Sequence, residues 1–226
     1  MPTWFPEAAS SYAGDMDSLI WTITLIVGTW FVLAEGLLVY LIVRYRRRPG
    51  RRALYLPARS LRAMSFVLVP CVVILGFDLV LDAVAAPVWD EIKLEQPPHD
   101  HLVGIQGEQW AWRFSYPGAD GRLGTDDDIE SVNELHVPVD QVILFELSAK
   151  DVLHSFWVAE LRLKQDAVPG RTIRGWFRAT REGRYEIPCA EICGIAHTMM
   201  KGMLHVESAD AYRTWLASRS ALAPAG

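Results

Sequence analysis

Residues Cys189 to Met200 read CAEICGIAHTMM. This short stretch holds two of the chain's three cysteines, with one histidine, one glutamate and two methionines. On either side lie short segments of alternating polarity, RYEIPC (184–189) and GMLHVES (202–208). The stretch therefore reads as a loop joining two strands. Working back along the chain, the same alternation recurs in HLVGIQG (101–107), QWAWRFSY (109–116), VNELHV (132–137), QVILFELS (141–148), HSFWVAEL (154–161) and TIRGWFRA (172–179). Gly, Pro and Asp clusters separate these segments. Many short strands at this spacing predict an all-β sandwich or barrel of about 100 residues. SADAYRTWLASRS (208–220) predicts a closing helix capped by Ser208 or Asp210. GADGRLGTDDDIES (118–131) reads as an acidic hairpin loop without the ligand spacing of a calcium loop.

The first third of the chain is different. Leu19 to Val43 carries one formal charge, Glu35, and Met64 to Val88 only Asp78 and Asp82. At ~1.5 Å per residue each run crosses a hydrocarbon core of ~30 Å. The N-terminus offers no basic n-region and the first run is too long for an h-region, so a cleaved signal peptide is not expected. The connecting segment carries Arg44, Arg46, Arg47, Arg48, Arg51, Arg52, Arg59 and Arg62 against almost no acid, which places it in the cytoplasm. The expected organisation is a short exterior N-terminus (1–18), a transmembrane helical hairpin (19–90) with an Arg-rich cytoplasmic loop (44–62), and an exterior β domain with a C-terminal helix (91–226). A soluble helical hairpin with a nucleic-acid-binding loop is the alternative. Two spans this long are rare in soluble cores, so the expected partner is membrane lipid and no nucleic acid. Glu35, Asp78 and Asp82 are costly in lipid and are expected to face protein or water. Cys71 reads as a small apolar filler.

Three readings of the cysteine loop compete. A disulfide suits an oxidising compartment. A zinc site would lack a fourth strong ligand nearby. Copper prefers thiolate, imidazole and thioether, and a loop between the last strands of a sandwich suits an electron-transfer site. Two thiolates would bridge a copper pair with one imidazole per metal, so a histidine besides His197 is needed. His99, His101, His136, His154 and His205 are available. His154 opens a strand after a polar turn, His99 and His101 sit in the linker, and His136 and His205 read as ordinary strand residues.

DVLHSFWVAELRLKQDAVPGR (151–171), GEQWAWRFSY (107–116) and CAEICGIAHTMM together resemble the CuA-binding subunit II of cytochrome c oxidase, of the haem-copper oxidase family. The resemblance covers nearly the whole chain. It implies an all-β cupredoxin-like Greek-key sandwich or barrel after a two-helix transmembrane hairpin, in a bacterial inner membrane, with the N-terminus and the C-terminal domain on the periplasmic side. It implies two copper ions as CuA, bridged by Cys189 and Cys193 and bound by His154 and His197. Met200 and the backbone carbonyl of Glu191 would be weak axial ligands, and the Glu191 side chain would reach an interfacial Mg or Mn. Electrons would come from cytochrome c at Trp110, supported by Trp112, and pass to haem in subunit I. That partner would reduce oxygen to water and translocate protons. A CuA-bearing nitric oxide reductase subunit and a membrane-tethered copper carrier are the alternatives.

Several positions depart from the family's pattern. Ala111 stands where an aromatic is usual, and Lys150 where an acid is frequent. Ala63, seven residues before Pro70, stands where some members carry a proton-path glutamate. No Cys-x-x-Cys-His follows the cysteine loop, so a separate donor is expected. Asp120, Asp126, Asp127, Asp128, Glu130 and Asp151 could steer a basic donor.

Overall fold

In the computed structural model, the described residues are 5–52, 57 and 59–220. The first four residues of the N-terminal segment, residues 53–56 and 58 of the basic loop, and 221–226 lie outside them. The chain forms two compact units, residues 15–90 and residues 1–14 with 91–226.

The helical unit consists of α1 (Ala13–Tyr45) and α2 (Leu61–Trp89), the latter continuing into a wider π-helical turn, Asp90–Leu94. Ser60 caps α2, its Oγ accepting from the Ala63 N–H at 3.2 Å. Both helices are long and apolar enough to cross a membrane, and the most apolar window of each has no buried residue within the chain. The three threonine hydroxyls of α1 are satisfied internally: Thr22, Thr24 and Thr29 donate to the carbonyls of Ser18, Ile20 and Leu25, at 2.8, 2.7 and 2.6 Å. Apolar surroundings demand such internal pairing, because no water is there to replace it. Glu35, Asp78 and Asp82 are exposed on these helices.

The β unit contains ten strands: β1 (His101–Glu108), β2 (Ala111–Tyr116), β3 (Ile129–Val132), β4 (Glu134–Pro138), β5 (Val142–Ala149), β6 (His154–Val158), β7 (Leu163–Ala167), β8 (Ile173–Arg178), β9 (Gly183–Pro188) and β10 (Lys201–Glu207), closed by α3 (Ala209–Ser220). They pair as β3-β2-β1-β5-β8, β4-β10-β9 and β6-β7. Two pairings are parallel, β1 with β5 and β10 with β4. Each joins strands far apart in sequence, as a Greek-key sandwich requires. The alternation along β1 and β2 buries Val103, Ile105, Trp112, Phe114 and Tyr116, as Phe145, Phe156 and Phe177 are buried, and Trp112 stands edge-on to Phe156 with centroids 5.6 Å apart. Gly175 is required by this packing, since a Cβ there would lie 2.4 Å from the Phe145 ring.

The structure adds three features to the sequence expectations. β3 begins inside the segment read as an acidic hairpin loop, and Asn133, at φ +60°, separates it from β4. β7 is a strand whose Lys and Gln break the apolar alternation. The third is the attachment of the N-terminal segment. The Ala9 N–H donates to Glu160 O at 2.9 Å and the Thr180 N–H to Ala9 O at 2.9 Å. Tyr12 is buried edge-on against Trp176, ring centroids 5.5 Å apart.

Candidate metal centre

β9 ends at Pro188 and β10 begins at Lys201, so the two strands present the intervening loop at one end of their sheet. Ladder-like bonds hold its base: the Cys189 N–H donates to Met200 O at 3.1 Å, and the Ala190 N–H to Ser155 O at 3.0 Å. The second bond ties the loop to β6, whose first residue is His154.

Within this frame the ligand atoms converge. Cys189 Sγ and Cys193 Sγ lie 3.8 Å apart as free thiols. His154 Nδ1 lies 3.9 Å from Cys189 Sγ, and His197 Nδ1 3.5 Å from Cys193 Sγ. Met200 Sδ is 3.8 Å from Cys193 Sγ, and the Glu191 carbonyl accepts from Cys189 Sγ at 3.2 Å. All six sequence-predicted ligand positions therefore meet in one place. Cys189, Cys193, His154 and Met200 are buried, and His197 and Glu191 half-buried.

Burial and the neighbouring Cys189 push the Cys193 thiol up from 9.0 to about 11. Two thiols this close do not both ionise without a cation between them, so the pair is poised for a positively charged occupant. The donor set of two sulfurs, two imidazoles, a thioether and a carbonyl matches copper better than zinc.

The surrounding groups fix these ligands. His154 Nε2 pairs with Asp151 Oδ1 at 2.9 Å, and the Gln109 N–H donates to Asp151 Oδ2 at 2.7 Å. Burial pushes the Asp151 carboxyl up, but the bonds from His154, Gln109 and Val152 outweigh it and hold it below its ordinary value. The carboxylate therefore keeps the proton on Nε2 and leaves the Nδ1 lone pair facing the sulfurs. The His154 ring lies against Gly107, where a Cβ would approach its Cδ2 to 2.8 Å. Gln109 Nε2 and Trp110 Nε1 both donate to Cys193 O, at 2.8 and 3.3 Å. Gly194, at φ +127°, leaves room for both side chains.

Residues two apart on one strand share a face, but Trp110 and Trp112 do not. The chain turns at Gln109 and Trp110 between paired Glu108 and Ala111, so β2 starts one residue after Trp110. Trp110 is half-exposed, while Trp112 is fully buried and edge-on to His154, 6.1 Å between centroids. Of the acids expected to steer a donor, Asp151 touches the centre, whereas Asp120, Asp126, Asp127, Asp128 and Glu130 belong to the segment running from β2 into β3.

"Alternative cytochrome c oxidase subunit 2" of Bradyrhizobium diazoefficiens is 31% identical over 247 residues, spanning 98% of this chain and 86% of that protein. The chain belongs to the cytochrome c oxidase subunit 2 family. The family model described as "Cytochrome C oxidase subunit II, periplasmic domain" matches residues 102–207, which include every residue of the cluster. "Cytochrome c oxidase subunit 2" of Thermostichus vulcanus is 31% identical over 272 residues, covering 97% of this chain and 80% of that one. The crystal structure of the periplasmic domain of subunit II of cytochrome oxidase from Bradyrhizobium japonicum superposes with a TM-score of 0.51 at 27% identity. It covers 56% of this chain and 98% of that domain. The β unit is thus the cupredoxin-like domain of this family.

Sequence reasoning missed the roles of Gln109, Gly107 and Gly194, and took Asp151 only as a steering charge. Nothing in the local pattern around Gln109 points to a loop more than eighty residues away, and nothing around Gly107 points to the ring of His154 on another strand. Asp151 is signalled by its position three residues before a candidate ligand histidine.

Proposed function

We propose that this chain is the electron-input subunit of a respiratory terminal oxidase in a bacterial inner membrane, with the β unit on the periplasmic side. The observation that carries the reading is the pair of facing thiols flanked on each side by one imidazole nitrogen. In this reading Cys189, Cys193, His154, His197, Met200 and the Glu191 carbonyl hold two copper ions. Bound there, the copper pair would supply a one-electron store, and Met200 and the Glu191 carbonyl would tune its potential.

The protein's own groups prepare that site. Asp151 orients His154 and fixes its tautomer. Burial of both thiols keeps water away, and the Gln109 and Trp110 N–H groups pin the Cys193 carbonyl so that the loop keeps its shape. Trp110 is the site where electrons arrive from cytochrome c: its half-exposed ring is hydrogen-bonded to the backbone of a sulfur ligand. Trp112 supports His154 from the core side. Ile192, Ile195 and Met199, which are 75, 95 and 77% exposed on the loop, form an apolar surface for the haem-bearing catalytic subunit. The Glu191 carboxylate is left for a hard cation, Mg or Mn, at that boundary.

The basic loop between the two helices supports the orientation, because positive segments stay on the cytoplasmic side. Glu35, Asp78 and Asp82 would face partner subunits rather than lipid. Oxygen reduction and proton translocation belong to the catalytic subunit.

The test is turnover of the purified complex with reduced cytochrome c. Oxygen consumption that falls at least tenfold in Trp110→Ala at unchanged copper content is expected. Nitric oxide consumption without oxygen consumption would assign the chain to a nitric oxide reductase. Isolation without a haem subunit, with exchangeable copper, would make it a carrier.

A further inference from the structure

β4 and β10 run parallel, with His136 opposite His205 and Glu134 opposite Met203. Side chains two apart on a strand share a face, so Glu134 and His136 on β4 stand beside His205 and Glu207 on β10. The two imidazoles are stacked, centroids 4.3 Å apart and planes 3° from parallel. Trp215 of α3 stacks on the other face of His136 at 4.0 Å and 14°. His136 is therefore held in a three-ring stack.

The hydrogen bonding of this stack is incomplete in a particular way. His136 Nδ1 lies 3.3 Å from Glu207 Oε2, which places the ring proton on Nδ1 and leaves the Nε2 lone pair free. His136 Nε2 and His205 Nε2 are both buried without a hydrogen-bond partner. The Glu134 carboxylate is 3.7 Å from His136 Nε2, too far for a hydrogen bond. One ligand atom from each of Glu134, His136 and His205 falls within 4.8 Å of the other two. Orphaned buried nitrogens are costly. A carboxylate on the far nitrogen of a histidine is the usual support for an imidazole that binds a metal through its near one.

We propose that Glu134, His136 and His205 form a second metal site, separate from the cysteine loop, for a borderline divalent cation of the zinc class. Two imidazoles and one carboxylate suit such an ion, and the remaining position would go to water. Burial, reinforced by His136 and Arg184 and opposed by Glu134 and Glu207, lowers the His205 pKa and favours the neutral ring that a cation needs. Parallel rings cannot both aim a lone pair at one ion. Binding therefore turns His205, the less buried of the two, while Trp215 and Glu207 keep His136 in place. His205 lies inside β10, five residues beyond Met200, which precedes that strand; at ~3.3 Å per residue this is about 16 Å, so the two sites do not share ligands.

The test uses the full-length chain in detergent, loaded with copper so that the thiols are occupied, and titrated with zinc chloride in a calorimeter. One saturable zinc equivalent beyond copper is expected. Its affinity should fall about 10–100-fold in His205→Ala and about fivefold in Glu134→Gln, at unchanged copper content. Glu134 is exposed, so its variant tests the site even if the histidine variant fails to fold. Absence of the extra equivalent, zinc that displaces copper instead, or unchanged affinity in Glu134→Gln would each overturn the proposal.

Discussion

The cysteine loop and the histidine pair on β4 and β10 sit on one three-stranded sheet, and they gather ligand atoms in opposite ways. The loop concentrates five of its six positions within Cys189–Met200 and borrows only His154 from another sheet. The histidine pair is assembled across a parallel pairing from residues almost seventy positions apart. In the loop, thiols and thioether make a soft pocket whose geometry is set by hydrogen bonds to its backbone. On the strands, imidazole and carboxylate make a harder face whose geometry is set by ring stacking. Softness decides which metal each would hold, and the manner of construction decides how much of each could be read beforehand.

The sharpest way to separate the two is Cys193→Ser. It should cut electron transfer into the assembled complex more than a hundredfold, measured by stopped-flow with reduced cytochrome c. The zinc equivalent assigned to the histidine pair should remain. Loss of both would mean that the clusters are one cooperative unit.

Asp151→Ala tests whether the loop site depends on support outside the loop. Copper affinity should drop about 10–100-fold in competition with a chelator, because His154 loses the partner that fixes its tautomer. Gly107→Ala attacks the same ring sterically. The buried ring cannot retreat far from the new Cβ, so the metal-free protein should lose about 1–3 kcal/mol in denaturant melts, as overpacked cores do.

The thiol pair also predicts a pH dependence that the histidine pair does not share. The folded Cys193 thiol keeps its proton to about pH 11, while in the unfolded chain it ionises near 9.0. A group whose folded pKa is raised stabilises below the unfolded value, so metal-free protein should lose stability as pH rises from 9 to 11. That part of the loss should vanish in Cys193→Ser. The smallest structural effect is expected for Met200→Leu. The swap nearly conserves volume and should change stability by less than ~1.5 kcal/mol, with copper retained and the potential shifted.

How much of this was legible depends on where the information lies along the chain. The alternation in 101–107 and 141–148 reveals β1 and β5, but not that they pair in parallel, because pairing is decided by the whole core. β7 escaped because Lys164 and Gln165 stand where apolar residues would mark a strand. The ligands were legible because copper chemistry demands rare residue types at close spacing. Gln109, Gly107 and Gly194 were not, because they act by hydrogen bonds and clearances that exist only once β1, β6 and the loop meet. His136 and His205 read as ordinary strand residues for the same reason, since neither neighbours the other until β4 and β10 align.

The central claim is that two metal ions share one unpaired electron across Cys189 and Cys193. Electron paramagnetic resonance of the oxidised, copper-loaded protein tests it most directly. A seven-line copper hyperfine pattern, from one electron spread over two equivalent nuclei, is the predicted result. A four-line pattern from a single copper, or a spectrum unaltered by Cys193→Ser, would contradict the account.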